Sequence, residues 1–365
     1  MADGEAFVLP DYAGRCVTNV VPALLGGPTP AWLPPEALSE QVVLLVLDGL
    51  GWLQLQERLH CAPTLASLAG GPITTVAPST TATALTSIST GLPPGEHGIV
   101  GYRIHVQGDV LNVLRWTTKQ GDSRLRHVPA LMQTQPPFGN ERPPIVTRAE
   151  FSDSGFTAAH LLPARFFGYR MASSLVTQVL DLVVRGEPFV YAYYEGIDKV
   201  AHEYGLNRFY EAELRAVDRI VEELLTGLPA GVSLVVTADH GQIETGEDIV
   251  ELHPSVLAHV ALQSGEGRFR WLHARAGRAA ALREAVETHH RSQAWVRSRE
   301  ETIAEGWFGP VVTEDASRRL GDVALVAKGH RAFHDPTDTG AFKLIGRHGS
   351  LTAAEMLVPL LAARV

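Results

Sequence analysis

Three nearly continuous apolar runs stand out along the chain: QVVLLVL (41–47), EPFVYAYY (187–194) and VSLVVTA (232–238). Runs of this length without polar alternation fit strands buried on both faces of a parallel sheet. Between the last two lies NRFYEAELRAVDRIVEELLTG (207–227), where Tyr210, Leu214, Val217, Val221 and Leu224 recur at helical spacing and Gly227 supplies a stop. Strand, amphipathic helix and strand make a βαβ unit. Repeated units of this kind predict an α/β fold: a doubly wound, mostly parallel sheet with helices on both faces. Such sheets bind ligands beyond the carboxyl ends of their strands, so the residues that follow each apolar run carry the most information.

Two stretches break the rhythm. Residues 103–150 include QTQPPFGNERPP and show little periodicity, which predicts an irregular excursion or cap. Residues 251–334 read as a small inserted α/β subdomain: a strand around RFRWLHA, a helix over RAAALREAVETHH, and strands at WVRS and DVALVAK. No internal repeat is present, and the expected organisation is one catalytic domain over 1–365 carrying these two additions. A composition of 45% hydrophobic and 19% charged residues in 365 agrees with a folded chain with a sizeable core.

Charge and cysteine content narrow the partners. A net charge of −9 with scattered Lys and Arg does not fit a nucleic-acid or anionic-membrane surface. No apolar run approaches the roughly 18 residues needed to span a bilayer. The start MADGEAFVLPDY has neither a basic segment nor an apolar core, so no signal peptide is expected. Cys16 and Cys61 are too few for a disulfide framework, which predicts a reducing, cytoplasmic setting.

Candidate chemistry gathers at the strand ends. QVVLLVL is followed by Asp48, EPFVYAYYEGI by Asp198 with His202 four residues on, and VSLVVTA by Asp239-His240-Gly241. The strand-like FKLIGR precedes His348. Each element has a plain structural reading: an Asp before Gly forms turns, and Asp-x-x-x-His makes an ion pair on one helix face. Six carboxylate and imidazole groups at successive strand ends are harder to explain that way, and they are the ligand types expected for zinc-like divalent ions. Upstream, TTVAPSTTATALTSISTG (74–91) places Ser or Thr at ten of eighteen positions inside an otherwise globular pattern, so one of its hydroxyls is a candidate nucleophile. The GLG after Asp48 lacks the third glycine of a dinucleotide fingerprint. His289-His290 ends a charged helical stretch without partner ligands. His60, His97, His253, His330 and His334 lack strand-end positions and are assigned structural roles, His97 lying nearest the Ser/Thr block.

VLLVLDGLGW, PSTTATALTSISTGLPPGEHGI, YYEGIDKVAHEYG, VVTADHGQ and RHGSLTAAEMLVPLL together resemble the alkaline phosphatase superfamily, most closely its nucleotide pyrophosphatase/phosphodiesterase branch. The segments keep the family's order from 42 to 361. The resemblance implies one metal site of Asp198, His202 and His348 and another of Asp48, Asp239 and His240, both for zinc. It also implies a nucleophilic Thr three residues after a Pro and ten before a Gly. Pro78 and Gly91 put Thr81 there, with Thr80 and Ser79 as neighbouring alternatives. The implied reaction is hydrolysis of a phosphodiester or phosphoanhydride through a phospho-threonine, with Thr81 also coordinating metal. The family's Thr-Phe-Pro-Asn is here Thr81-Ala82-Thr83-Ala84, so a phosphate-contacting Asn and a pocket Phe are missing. ATALTSIS also resembles monoesterase members, and no sulfatase Cys-x-Pro-x-Arg follows the first Asp.

Charge balance bears on the substrate. Two divalent cations against three aspartates leave one surplus positive charge, which a Thr81 alkoxide cancels. A neutral site of that kind favours a monoanionic diester or pyrophosphate group over a dianionic monoester, unless another cation such as Arg103 contributes. The expected partner is therefore a small phosphorylated molecule, such as a nucleotide or another phosphodiester. A phosphomonoesterase or phosphonate hydrolase on the same scaffold is the first alternative, and a non-catalytic metal-binding module the second.

Overall fold

The computed structural model describes residues 7–338 and 343–365. Its centre is a seven-stranded sheet. In chain order the strands are β1 (Val42–Leu47), β2 (Ala69–Thr74), β3 (Pro144–Arg148), β4 (Arg165–Tyr169), β5 (Phe189–Tyr194) and β6 (Ser233–Thr237). Four strands of a second sheet follow as β7 (Val260–Gly265), β8 (Phe269–Ala274), β9 (Ala294–Ser298) and β10 (Val323–Ala327), and β11 (Leu357–Arg364) returns to the centre. The central order is β2-β11-β6-β1-β5-β3-β4. All neighbours are parallel except β11, which runs antiparallel to both β6 and β2.

The innermost strand, β1, is buried at every position, as its unbroken apolar run requires. Its flanks are held in register by pairs such as Val42↔Ser233 and Val42↔Phe189, so β1, β5 and β6 end on one edge. Helices α1 (Thr81–Thr90), α2 (Ala172–Val184), α3 (Gly196–Tyr204) and α4 (Arg208–Gly227) complete the central body. Helix α2 packs on β3, β4 and β5, and α4 packs on α2 and α3. The apolar stripe of α4 read from its spacing is its buried face: Tyr210, Leu214, Val217, Val221 and Leu224 are all fully enclosed. Among the described residues no helix is long and apolar enough to cross a membrane.

The segment expected to be an irregular excursion is more regular than its pattern suggests. Residues 103–122 fold into a small four-stranded antiparallel sheet, and Pro144–Arg148 is a strand of the central sheet. The excursion therefore ends before β3. Prolines at 143 and 144 and an apolar core of only two residues, Ile145 and Val146, hide that strand from a periodicity reading.

Residues 260–327 build a sheet of order β7-β8-β10-β9, with helix α5 (Ala279–His290) against it. Its strands alternate between two cores. Leu272, Leu325 and Val296 face a small cluster with Leu282 and Val286 of α5, while Phe269, Trp271, Trp295 and Val326 join the main core. A buried ion pair, Arg268 with Glu355, ties this sheet to the short helical turn before β11, and a second, Arg270 with Asp335, ties β8 to the chain that follows the sheet.

Candidate active site

Asp48 and Asp239 lie just beyond β1 and β6, and Asp198 sits in the first turn of α3, two residues after that helix begins. The reading of Asp198 as a strand-end residue is therefore adjusted: β5 ends at Tyr194, and a helix turn carries Asp198 and His202 on one face. His348 follows a two-residue strand, Gly346–Arg347, paired with Ile243–Glu244; Phe342, the first residue of the FKLIGR run expected to be its strand, lies outside the described residues. Gly49 has φ +76, and a Cβ there would come within 3.0 Å of the Asp198 Cα. A side chain at this position would thus separate the Asp48 and Asp198 segments.

These groups converge. His240 Nε2 lies 3.3 Å from Asp48 Oδ1, 3.4 Å from Asp239 Oδ2 and 3.1 Å from Thr81 Oγ1. His202 Nε2 lies 3.3 Å, and His348 Nε2 3.8 Å, from Asp198 Oδ1. The rings of His240 and His348 stack at 3.6 Å, so His240 stands between the two groups. Donor atoms of Asp48, Asp239 and His240, and of Asp198, His240 and His348, each fall within 4.8 Å of one another.

Proton positions follow from the partners. The Nδ1 atoms of His202, His240 and His348 face the carbonyls of Gly346 (2.7 Å), Gly241 (3.0 Å) and Ser79 (2.9 Å). A carbonyl only accepts, so each Nδ1 carries the proton and each Nε2 presents a lone pair. Lone pairs therefore meet carboxylate oxygens without a hydrogen between them. Asp48 Oδ1 and Asp239 Oδ2 are buried and have no hydrogen-bond partner among the described residues. A cation among these oxygens and nitrogens would satisfy them, and carboxylate with imidazole is a donor set that suits divalent ions. Burial raises the Asp48, Asp198 and Asp239 carboxyls, and the neighbouring carboxylates raise Asp48 further. Burial lowers His240 and, with the adjacent imidazoles, holds His348 well below its ordinary value, which keeps both rings in the neutral, coordinating form.

Thr81 is the first residue of α1, after Thr80 in extended conformation at the N-cap. No side chain caps this end, and the first intrahelical donor is Ala84 N–H, bonded to the Thr80 carbonyl. The amides of the first turn point beyond the helix beside the Thr81 hydroxyl, a natural place for anionic oxygens. Of the neighbouring hydroxyls, Ser79 Oγ donates to the Ser350 carbonyl at 2.6 Å and is engaged away from the cluster.

Arg103 is placed elsewhere. Its guanidinium is buried against Asp335 (2.7 Å) and Thr337 (2.7 Å), so it holds the end of the inserted segment and does not line the cavity beside Thr81. His97 is likewise structural: its Nε2 pairs with Ser87 at 2.8 Å, its Nδ1 accepts from Ile99 N–H, and burial pushes it down to about 3. Residues that periodicity could not single out also serve the cluster. Tyr193 donates to Asp48 Oδ2, and the Gln242 amide donates to Asp198 Oδ1. Gln242 closes the ADHGQ segment, where its nearness to Asp239-His240 was the available signal. Beside the cluster opens a cavity of about 200 Å³, bounded by Thr81, Leu85, Phe151, Phe156, His160 and Tyr191 among others.

A mostly parallel sheet carries this cluster beyond the carboxyl ends of its strands, where such sheets bind ligands. Residues 42–351 match the family described as type I phosphodiesterase / nucleotide pyrophosphatase, and the chain belongs to that family. No curated protein matches it in sequence. Among solved structures it is similar to murine ectonucleotide pyrophosphatase / phosphodiesterase 5, with 19% identity, a TM-score of 0.67 and 88% of each chain covered. The human protein of the same name gives 18% identity and a TM-score of 0.68, covering 88% of this chain and 87% of that one. Phosphonoacetate hydrolase from Sinorhizobium meliloti 1021 gives 17% identity and a TM-score of 0.65, covering 92% of this chain and 91% of that one. At these identities the likeness is one of fold.

Proposed function

We propose that the protein is a two-metal phosphodiesterase or nucleotide pyrophosphatase that works through a phospho-threonine on Thr81. The observation that supports it most is the pair of buried, unpartnered oxygens, Asp48 Oδ1 and Asp239 Oδ2, within 3.4 Å of the lone pair on His240 Nε2 and next to the Thr81 hydroxyl. Two divalent ions, zinc by the nature of the donors, would be held by Asp198, His202 and His348 and by Asp48, Asp239, His240 and Thr81, supplying Lewis acidity at phosphate and acidifying the hydroxyl.

The chain's own groups do the remaining work. Thr81 Oγ1 sits at the start of α1, where the first-turn amides hold the phosphoryl oxygens in place of the Asn that Ala84 lacks. Its attack on phosphorus forms the phospho-threonine and releases one alcohol or phosphate group; water then hydrolyses the Thr81 ester. Tyr193 and Gln242 fix the rotamers of Asp48 and Asp198, and the three backbone carbonyls fix the imidazoles. Two free cysteines support the cytoplasmic setting inferred from the sequence.

The family likeness also includes a phosphonate hydrolase, so relative rates decide between the readings. Bis-p-nitrophenyl phosphate should be turned over faster than p-nitrophenyl phosphate, and phosphonoacetate should be a poor substrate. Faster cleavage of the monoester or the phosphonate overturns the diesterase reading.

A further inference from the structure

Away from the active centre, another set of metal-ligating side chains converges just past the short helix Trp52–Gln56. The 3-10 turn Leu59–Cys61 packs on α4, and donor atoms of His60, Cys61 and Glu211 all lie within 4.8 Å of one another. None of the three lines the cavity beside Thr81. Position in the sequence gave His60 a structural role; the fold sets it beside a thiol and a carboxylate.

The frame that carries these donors is already fixed. Before the turn, Arg58 Nη2 donates to the Leu206 carbonyl at 3.0 Å, and its guanidinium lies over the Tyr210 ring at 5.4 Å. After it, the Asp218 carboxylate of α4 accepts from the Thr64 and Leu65 amides at 3.1 and 2.8 Å. A ligand that meets such a frame has little backbone left to order.

The two cysteines differ in their surroundings. Cys16 is wholly enclosed and its Sγ donates to the Thr75 carbonyl at 3.8 Å, as suits a thiol that only packs. Cys61 is 3% exposed, yet its thiol has no hydrogen-bond partner among the described residues, and neither has the exposed His60 ring. The Glu211 carboxylate meets Arg215 at 3.4 Å, an exposed pair that holds it weakly. Tetrahedral zinc, with bonds of about 2.3 Å to sulfur and about 2.0 Å to nitrogen or oxygen, keeps its donors roughly 3.3–3.8 Å apart. Rotation of the His60 and Glu211 side chains by about 1 Å would close the set.

We propose that His60, Cys61 and Glu211 form a further metal site, outside the catalytic centre, that takes one zinc-type ion with water as fourth ligand and pins the turn to α4. Thiolate with imidazole selects such ions over magnesium or calcium. Binding displaces the Cys61 thiol proton to solvent and forms the metal–sulfur bond in its place. With three protein donors, one of them exposed, this ion exchanges and is lost on dialysis. The site owes nothing to the diesterase reading, and either can fail alone.

Cobalt is the probe, because a thiolate–cobalt bond gives a strong near-ultraviolet charge-transfer band and the catalytic cluster contains no sulfur. Titrating dialysed, reduced protein with Co2+ should raise this band up to one equivalent per chain, and zinc should bleach it. Cys61→Ser should abolish the band. His60→Ala and Glu211→Gln should each weaken cobalt binding about tenfold or more, and Thr81→Ala should leave it unchanged. His60 is exposed, so His60→Ala should keep the metal-free melting temperature of the wild type, which separates lost binding from lost folding. Absence of the band in the wild type, its survival in Cys61→Ser, or cobalt affinity unchanged in both His60→Ala and Glu211→Gln overturns the proposal.

Discussion

Asp48 and Glu355 are both carboxylates with almost no exposure, 2% and 0%, yet their surroundings are opposite. At Glu355 each oxygen is doubly engaged: Oε1 accepts from Arg268 Nε (2.7 Å) and Ser350 N–H (2.9 Å), and Oε2 from Arg268 Nη2 (2.8 Å) and Thr352 Oγ1 (2.6 Å). At Asp48 one oxygen takes the Tyr193 hydroxyl and the other has nothing. A charge that architecture alone requires comes with its partners, because a lone buried charge costs several kcal/mol. A charge left unpartnered beside another like it is reserved for something the polypeptide does not supply. Glu266, in the turn between β7 and β8, is a third case. Its buried Oε1 also lacks a partner among the described residues, and burial pushes this carboxyl up to about 8, as burial raises Asp48; what sets Asp48 apart is the imidazole Nε2 of His240 3.3 Å from its free oxygen.

The contrast predicts that the two regions fail differently. Thr81→Ala should lower diester turnover by roughly 10³-fold or more while leaving the melting temperature and metal content nearly intact; assay, calorimetry and elemental analysis on one preparation check this. Loss of activity together with unfolding would erase the distinction. Glu355→Ala should cost about 3–5 kcal/mol in chemical denaturation, because it strands Arg268 in the interior. His348→Ala should take metal content from about two ions per chain to about one, measured by plasma emission spectrometry after dialysis, with a smaller stability change than Glu355→Ala. The subtlest effect concerns Glu266. Its carboxyl keeps its proton in the fold up to about 8, whereas the unfolded chain releases it near the ordinary glutamate value of 4.5. Stability contributed by the protonated form is therefore present below about 4.5 and lost as pH rises toward about 8. Glu266→Gln should flatten the melting temperature across that window, and an unchanged slope would assign the pH dependence to other groups.

The legible parts of this molecule are those where chemistry and chain direction coincide. β1, β5 and β6 are buried on both faces, so their apolar runs are unbroken and the Asp that follows each, within two residues of β1 and β6 and in the first helical turn after β5, is visible as a break in the pattern. The family likeness then gave these residues candidate roles. Less visible were groups whose role depends on contacts across the fold. Arg103 follows directly on the nucleophile block in sequence, but in space its partner is Asp335, 232 residues away. Phe151, Phe156 and His160 occupy a short 3-10 turn and a six-residue helix, too brief for periodicity to reveal which face lines the cavity. The main-core face of the inserted sheet escaped for the same reason: alternation along β8 shows two faces but not what covers each.

One feature of the sheet bears on what keeps the nucleophile in place. β11 is threaded between β2 and β6, and among the described strands it is the sole central-sheet neighbour of β2. The segment with Thr81 leaves from the end of β2, and the Thr75 hydroxyl donates to the carbonyl of Asp239 just beyond β6. The nucleophile is thus docked to the Asp239 edge across a slot that the final strand fills. The hydroxyl and the imidazole are held together by a strand that follows both in sequence and seats between the two strands that carry their segments.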